Sequence, residues 1–358
     1  MKKIDYYIIK KFLGTFFFAI SLIIIIVIIF DVSEKVDDFI EKKAPLSDII
    51  FVYYLNFIPY FVNLFSPLFT FIAVIFFTSK MAYNTEIVAI LSSGVSFKRL
   101  LRPYLLASLF LAIMSFMLAN FIIPPANANR LEFEKRFLKN SLKFSDRNVH
   151  LQISEGTYVY LESFDISKNI GYRFTLEKIN SNGLSYKLAA EQINWDSVKT
   201  TWHLVNYTKR TFFGLKETYS KGKQIDTILN LKPKDFSTRL DNLETMNYMQ
   251  IRQFIKEEKL KGSDNVAFYE VEKHKRIAFP FATVVLTLIG VSLSSRKLRG
   301  GIGMHLGAGI AISFAFILFM QISTTFSTYS SLPSFIGVWI PNVIFTVLGL
   351  YLLKTAPK

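Results

Sequence analysis

The sequence contains no cysteine, and this absence excludes disulfide bonds, iron–sulfur clusters and thiol catalysis. Its four histidines are far apart in the sequence, so no pair has the spacing of a metal site. It has neither a G-x-x-x-x-G-K-[ST] phosphate-binding loop nor a G-x-S-x-G nucleophile motif. We therefore expect no catalytic site, and any ATP hydrolysis linked to this chain must take place on another protein.

Apolar residues, in contrast, are abundant. Hydrophobic types make up 51% of the 358 residues, and 36 are phenylalanine, which points to a bilayer as the solvent for much of the chain. The net charge is +15, but the sequence has no RNP, helix-turn-helix or zinc-finger pattern, so we do not expect nucleic-acid binding. In a membrane protein such an excess of lysine and arginine indicates orientation and contact with anionic lipid heads.

Six apolar segments are long enough to cross a bilayer as helices. No small-x-small cleavage site follows the first, so we expect an uncleaved first span. The second contains Pro59 and Pro67 and is long for one span; it should tilt, kink or extend beyond the lipid, with a re-entrant break at Pro59 as the alternative. The predicted spans are residues 12–30, 49–79, 101–123, 277–294, 304–325 and 335–353.

The charges of the short loops predict the orientation. The loops after spans two and four are basic, the loop after span one is acidic, and the loop after span five is uncharged. The positive-inside rule then places both termini in the cytoplasm and the long segment between spans three and four outside. The basic residues that decide this are Lys80, Lys98, Arg99, Arg102, Arg296, Lys297, Arg299, Lys354 and Lys358.

The inserted segment differs from the spans in its pattern. Its strand-like runs alternate polar and apolar residues between turns such as Glu155-Gly156, which is typical of an antiparallel sandwich or open roll. The runs are 150–153, 157–161, 172–176 and 201–205, flanked by helical patterns at 129–140 and 247–260. We therefore predict a polytopic α-helical membrane protein with six transmembrane helices and an inserted all-β domain. The domains are residues 1–123, 124–276 with the β region at about 145–235, and 277–358.

The loop between spans two and three contains a candidate amphipathic helix at 84–94. Asn84 or Thr85 can cap its start, and Gly94 permits a left-handed end. Its apolar face can lie on lipid or dock in the groove of a soluble partner. The acidic residue at position 86 favours a protein partner, because anionic lipid would repel it.

Span five begins with glycines. Gly303 and Gly307 have small-xxx-small spacing, which serves either close packing inside the bundle or a contact that slides. Near its outer end, polar residues either bond to neighbouring helices or line a cavity. These are Gln321, Ser323, Thr324 and Thr325.

Four stretches give the chain an end-to-end resemblance to the lipopolysaccharide export permeases, the LptF/LptG or YjgP/YjgQ family. The third of these stretches is similar to the family's cytoplasmic coupling helix, and the family's outer domain is a β-jellyroll. The stretches are Asp5-Tyr6-Tyr7 with Lys10-Lys11-Phe12; Ser66-Pro67-Leu68; Glu86-Ile87-Val88-Ala89 with Ser93-Gly94-Val95-Ser96; and His274-Lys275-Arg276-Ile277-Ala278-Phe279-Pro280 with Gly290.

The resemblance implies a permease subunit of an ATP-driven exporter in the inner membrane of a Gram-negative bacterium. In the family, a permease pairs with a paralogue or second copy, and a cytoplasmic ABC ATPase dimer, which holds the ATP and Mg²⁺, binds one coupling helix from each. No cofactor is expected in this chain. Lipopolysaccharide enters sideways between spans one and five, and the periplasmic β-jellyroll passes it to a bridge protein with a similar domain.

The resemblance also assigns residues. The coupling helix carries the ATPase contact, and the family's acidic contact residue corresponds to Glu86; the assigned residues are Glu86, Ile87, Ala89, Ile90, Leu91 and Gly94. The resemblance assigns lipid head-group contact to Lys35, Lys42 and Lys43, although the acidic residues Asp31 and Glu34 are close by. The 86–89 and 202–204 segments favour the LptG type over LptF. The rival functions are a non-transporting envelope scaffold or lipid-binding membrane protein, and an intramembrane enzyme.

Overall fold

The computed structural model describes residues 2–138, 147–165, 168–181, 183–197, 199–214, 216–229, 231–233, 241–260, 262–263, 265–296, 301–330 and 332–356. The chain divides into two compact units. A helical unit comprises Met1–Lys139, Glu244–Tyr248 and Ala267–Lys358, and a sheet unit comprises Asn140–Leu243 and Met249–Val266. Three of the predicted orienting charges, Lys297, Arg299 and Lys358, lie outside the described residues.

Within the described residues, six helical segments are long and apolar enough to cross a membrane, so the six predicted spans are confirmed. The first, third and fourth run well past the predicted apolar runs, because the helices continue through flanking polar and charged residues, whereas the other three extend the predicted spans by only a few residues. The segments are Lys3–Glu41, Leu46–Tyr83, Phe97–Phe137, Val266–Ser294, Gly303–Tyr329 and Ser334–Thr355.

The second and third spans are composite. The helices, in chain order, are α1 (Lys3–Glu41), α2 (Leu46–Asp48), α3 (Leu55–Tyr83), α4 (Glu86–Ser92), α5 (Phe97–Met117), α6 (Ile123–Phe137), α7 (Asp241–Glu244), α8 (Tyr248–Leu260), α9 (Val266–Ser294), α10 (Gly301–Tyr329) and α11 (Ser334–Thr355). A π-helical segment, Ile49–Tyr54, joins α2 to α3, and another, Leu118–Ile122, joins α5 to α6. Because α3 continues through Pro59 and Pro67, a re-entrant break at Pro59 does not form.

The two largest apolar clusters of the helical unit join most of its helices. In the first, α1, α3 and α5 meet at Phe12, Phe77 and Tyr104, whose rings stack with centroids 5.8 Å apart for Phe12–Phe77 and 5.2 Å apart for Phe77–Tyr104. In the second, Phe71 and Ile75 of α3 pack against α9, α10 and α11. Helix α3 contributes to both clusters and is therefore the central element of the bundle.

The sheet unit contains one six-stranded antiparallel sheet. Its strands are β1 (Arg147–Ser154), β2 (Thr157–Asp165), β3 (Ile170–Asn180), β4 (Gly183–Asp196), β5 (Thr201–Phe213) and β6 (Lys216–Thr227), paired in that order. All four predicted runs lie in strands, while β4 and β6 were missed. Strand β6 is almost entirely exposed, so it lacks the polar–apolar alternation on which the prediction depended.

Alternate residues of the strands form a core on one face of the sheet. It contains Leu151, Val159, Leu161, Phe164, Phe174, Leu176, Leu188, Ala190, Ile193, Trp202 and Leu204, together with Leu231. The buried Trp202 also donates its indole N–H to the Leu231 carbonyl at 2.8 Å. The inserted all-β domain is thus confirmed. Its described strands follow one another as a meander, which matches the open-roll alternative, and none makes the Greek-key crossover of a two-sheet jelly roll.

Candidate functional site

The candidate coupling helix forms between spans two and three, but it is shorter than predicted, since α4 covers only Glu86–Ser92. The predicted side-chain cap is wrong. Thr85 occupies the cap position with φ +61°, and its side chain accepts no bond from the helix; its hydroxyl donates instead to the Asn84 carbonyl at 2.6 Å. The predicted left-handed end is confirmed, because Gly94 has φ +84°.

The apolar face of α4 is turned toward this chain's own bundle. Ile87 is only 1% exposed within the first apolar cluster, and Ile90 and Leu91 pack against the same cluster half-buried. The outward surface is formed by Val88, which is 55% exposed, together with Ala89 and Ser92. The apolar face that was predicted to lie on lipid or in a partner's groove therefore anchors α4, and other residues of the helix face outward.

Two contacts tie the first turn of α1 to this region. The Tyr7 hydroxyl donates to the Glu86 carboxylate at 3.0 Å. The Asp5 carboxylate, which is almost fully buried, accepts two bonds from the Arg99 guanidinium at the start of α5, both 2.7 Å long. A two-pronged arginine–carboxylate pair fixes orientation as well as distance. Neither contact was predicted from the sequence, although the Asp5-Tyr6-Tyr7 stretch carried the resemblance.

At the opposite end of α1, Lys35 is held by its own neighbours. Its ammonium lies 2.6 Å from the Asp31 carboxylate and donates to the Tyr53 hydroxyl. The second Asp31 oxygen accepts a bond from Tyr54 at 3.1 Å. Both tyrosines belong to the first π-helical segment. The charge of Lys35 is thus largely neutralised inside the chain.

Lys42 and Lys43 lie just beyond α1 and are exposed. The Lys42 ammonium makes one long bond, 3.4 Å, to the carbonyl of Leu138, and Lys43 has φ +50° in the turn that ends the helix. Of the three predicted head-group residues, these two therefore present their charge to the surroundings, whereas Lys35 presents little.

Span five leaves its predicted glycine face open. An added Cβ at Gly303 or Gly307 would meet no described atom within 4 Å, so this face does not pack closely inside the chain. Gly309 does, since a Cβ there would collide with Ile75. Near the other end, Thr324 bonds to the Met320 carbonyl of its own helix at 2.9 Å and Ser323 bonds to the Gly337 carbonyl of α11, while Gln321 and Thr325 are exposed.

Each of the four histidines contacts a different partner. In the described part of the chain, no three His, Asp or Glu residues are grouped to hold a metal ion. The contacts are His150 with the Tyr160 ring, His203 with Asp226, His274 with the Phe335 ring, and His305 with the Arg296 carbonyl.

Six bilayer-length helices with a β domain between the third and fourth define a polytopic membrane protein with an inserted β domain. The family profile described as "Lipopolysaccharide export system permease LptF/LptG" matches residues 6–355, so the chain belongs to this family and is a transport protein of the membrane. The resemblance found in the sequence is thereby confirmed. No curated protein matches the chain.

Proposed function

We propose that the chain is the membrane subunit of an ATP-driven exporter that extracts lipopolysaccharide from the inner membrane and passes it to a periplasmic bridge protein. Family membership supplies the coarser statement, a lipopolysaccharide export permease. The ATP and Mg²⁺ are held by a cytoplasmic ABC ATPase dimer, because the sequence has no phosphate-binding loop. The loop charges support cytoplasmic termini and a periplasmic sheet unit.

The observation that carries this proposal is the anchored helix α4. It is only seven residues long, so it could not remain helical without tertiary contacts. Ile87 on the bundle side and the Glu86–Tyr7 bond provide them. A surface helix held this firmly, with Val88 and Ala89 outward, can transmit a push from a bound protein to spans one, two and three. The ATPase docks here.

Charge reversal at Glu86 tests the docking. We expect Glu86→Arg to lower the amount of co-purified ATPase at least about tenfold, because breaking an interfacial charge contact costs about 2 kcal/mol or more. Lipid-stimulated ATP hydrolysis should fall in parallel. The measurement is quantitative mass spectrometry of the complex isolated from native membranes in mild detergent.

Two controls separate the possible causes. Glu257→Arg reverses an exposed helical charge in the sheet unit and should leave ATPase recovery unchanged. Tyr7→Phe removes only the internal bond to Glu86, so it shows how much of the loss comes from a displaced α4. Full ATPase recovery with Glu86→Arg would contradict the assignment of Glu86.

The lipid path follows the open sides of α1 and α10. Both helices expose large apolar residues, such as Phe18 (68%) and Phe30 (72%) on α1 and Leu318 (60%) on α10. Together with the open face at Gly303 and Gly307, these apolar residues form the surface on which a paralogous or second permease packs. The lipid enters between spans one and five of the two partners. Lys42 and Lys43 contact the lipid phosphates, and Lys35 contributes less.

The sheet unit receives the lipid from the transmembrane helices. Photo-crosslinking residues placed at core-facing positions of the strands should capture lipopolysaccharide only when ATP is supplied. Residues placed on β6, which is exposed, serve as the matched control. A complete lack of adducts from the core-facing positions would count against a conduit.

A non-transporting envelope scaffold or lipid-binding protein remains the second candidate function. It accounts for the six spans and the β domain but predicts no ATPase partner. The same mass-spectrometric experiment distinguishes the two, since a scaffold would be isolated without an ABC ATPase.

A further inference from the structure

The sheet face opposite the core contains a cavity of about 410 Å³. This volume lies within the range of roughly 300–1,000 Å³ that is typical of small-ligand pockets. The side chains that line it belong to strands β1 to β4, and its rim includes Gly262, in the turn after α8. The whole cavity therefore lies within the sheet unit.

The strand register explains why these side chains converge. Gln152 is paired with Tyr158, Tyr158 with Glu177, and Glu177 with Lys187, so one row of four side chains crosses four strands. His150 is paired with Tyr160 in the adjacent row of the same face, and their rings lie 4.8 Å apart. Side chains at directly paired positions are close neighbours.

The chemistry of the row is polar and aromatic without net charge. Glu177 and Lys187 neutralise each other through a contact of 2.7 Å. Tyr158 is 42% exposed, and within the described residues neither its hydroxyl nor the Gln152 amide has a hydrogen-bond partner. The cavity thus offers tyrosine ring faces together with unused donors and acceptors.

This combination of tyrosine rings and polar groups favours one class of ligand. An acyl chain would leave the amide, the carboxylate and the ammonium desolvated and unpaired, which is unfavourable. An anion would find no excess positive charge, because Lys187 is already paired. A sugar ring has an apolar C–H face to lie on tyrosine and hydroxyl groups to bond the amide and the ion pair.

We propose that the cavity formed by Gln152, Tyr158, Tyr160, Glu177 and Lys187 binds an uncharged saccharide unit of the exported lipid's head group. The proposal rests on the proposed function in one respect, since the cargo supplies the sugar. The site holds the head group on the face of the sheet opposite the apolar core.

The test measures saccharide binding without export. The full-length chain in phospholipid nanodiscs is titrated with core oligosaccharide freed of acyl chains and phosphate, and binding is followed by saturation-transfer NMR. We expect Gln152→Ala and Tyr158→Ala each to weaken binding about tenfold, the size of one good hydrogen bond. Tyr158→Phe, which keeps the ring, should lose less.

Tyr172→Ala is the matched control. Tyr172 is exposed to a similar extent, 38%, and also lies in the sheet, but it does not line the cavity. Its replacement should leave the affinity unchanged. Circular dichroism establishes that each variant is folded.

Two outcomes would overturn the proposal: no oligosaccharide binding at millimolar concentration, or equal binding by the wild type, Gln152→Ala and Tyr158→Ala. Lipid A without core sugars should not compete for the site. A failure of the proposed function has a different signature, because a chain that binds the oligosaccharide yet has no ATPase partner contradicts only the transport proposal.

Discussion

The two units place polar and apolar residues in opposite ways. Among the described residues, buried polar side chains are numerous in the helical unit, whereas the sheet unit has only Thr157 and Glu258. The helical unit in turn exposes long rows of phenylalanine, isoleucine and leucine, whereas the sheet unit places Phe164, Phe174 and Trp202 in one core and exposes fewer large apolar residues, such as Phe213 and Met249. The two units thus follow different rules for what is buried.

The difference follows from the two solvents. Water drives apolar side chains of the sheet unit into a core, because burial removes apolar surface from water. Lipid tails are as apolar as leucine, so they provide no such drive between helices, and close packing and internal hydrogen bonds hold the bundle instead. Some serines and threonines of the bundle bond to carbonyls of their own helices, as Thr287 does to Thr283 at 2.8 Å, and Ser323 bonds across to the Gly337 carbonyl of α11.

The largest loss of stability is expected for a side chain that is completely buried in the core of the sheet unit. Trp202→Ala removes a fully buried ring and its bond to Leu231, and we expect a loss of about 3–5 kcal/mol in the stability of the sheet unit. Guanidinium unfolding followed by near-ultraviolet circular dichroism measures it. Tyr219→Ala, at a position 61% exposed on β6, should cost little. Equal losses of stability from Trp202→Ala and Tyr219→Ala would contradict the view that burial of apolar side chains stabilises the sheet unit.

A smaller effect is expected from steric crowding in the bundle. At Gly290 of α9 a Cβ atom would lie 3.0 Å from Val74 and 3.1 Å from the Phe71 ring. Gly290→Val should therefore destabilise the bundle by about 1–3 kcal/mol. Gly303→Val, in open space on α10, is the matched control. Thermal unfolding of the isolated chain in detergent compares them, and no difference between the two would contradict the packing account.

The smallest effect concerns a buried polar contact of the bundle. Asn342 of α11 donates to the Ala278 carbonyl of α9 at 2.9 Å. Asn342→Leu should cost about 0.6 kcal/mol and at most about 1.7 kcal/mol, the mean and maximum contributions of hydrogen bonds between helices in a membrane. The same detergent assay applies, with Val347→Ala, at an exposed position of α11, as the reference. A loss as large as that of Trp202→Ala would mean that polar contacts dominate the bundle.

Much of the architecture could be predicted from the sequence. A bilayer requires helices whose backbone bonds are all internal, so apolar runs identify the spans. Alternation identified four strands with a buried face, but it missed β4, which also has one, and β6, whose side chains are exposed on both faces. The π-helical segments were also missed, since an extra residue in a helical turn leaves no signature in composition.

The candidate site could be predicted less completely. Composition and the Gly94 turn located α4, but periodicity could not tell whether Ile87 faced the bundle or a partner. The Tyr7–Glu86 and Asp5–Arg99 contacts join residues 79 and 94 positions apart in the sequence. Such pairings depend on how α1 packs against its neighbours, which one sequence does not contain.

The π-helical segment Ile49–Tyr54 changes the direction in which the side chains on its two sides point around the axis of the second span. One extra residue turns everything on its far side by about 100° relative to a regular helix. That rotation lets Tyr53 and Tyr54 meet Asp31 while Phe57 and Phe71 still face the bundle. Deleting a single residue from the segment would therefore turn the tyrosines away from Asp31, and Lys35 would keep only its contact with the Asp31 carboxylate of its own helix.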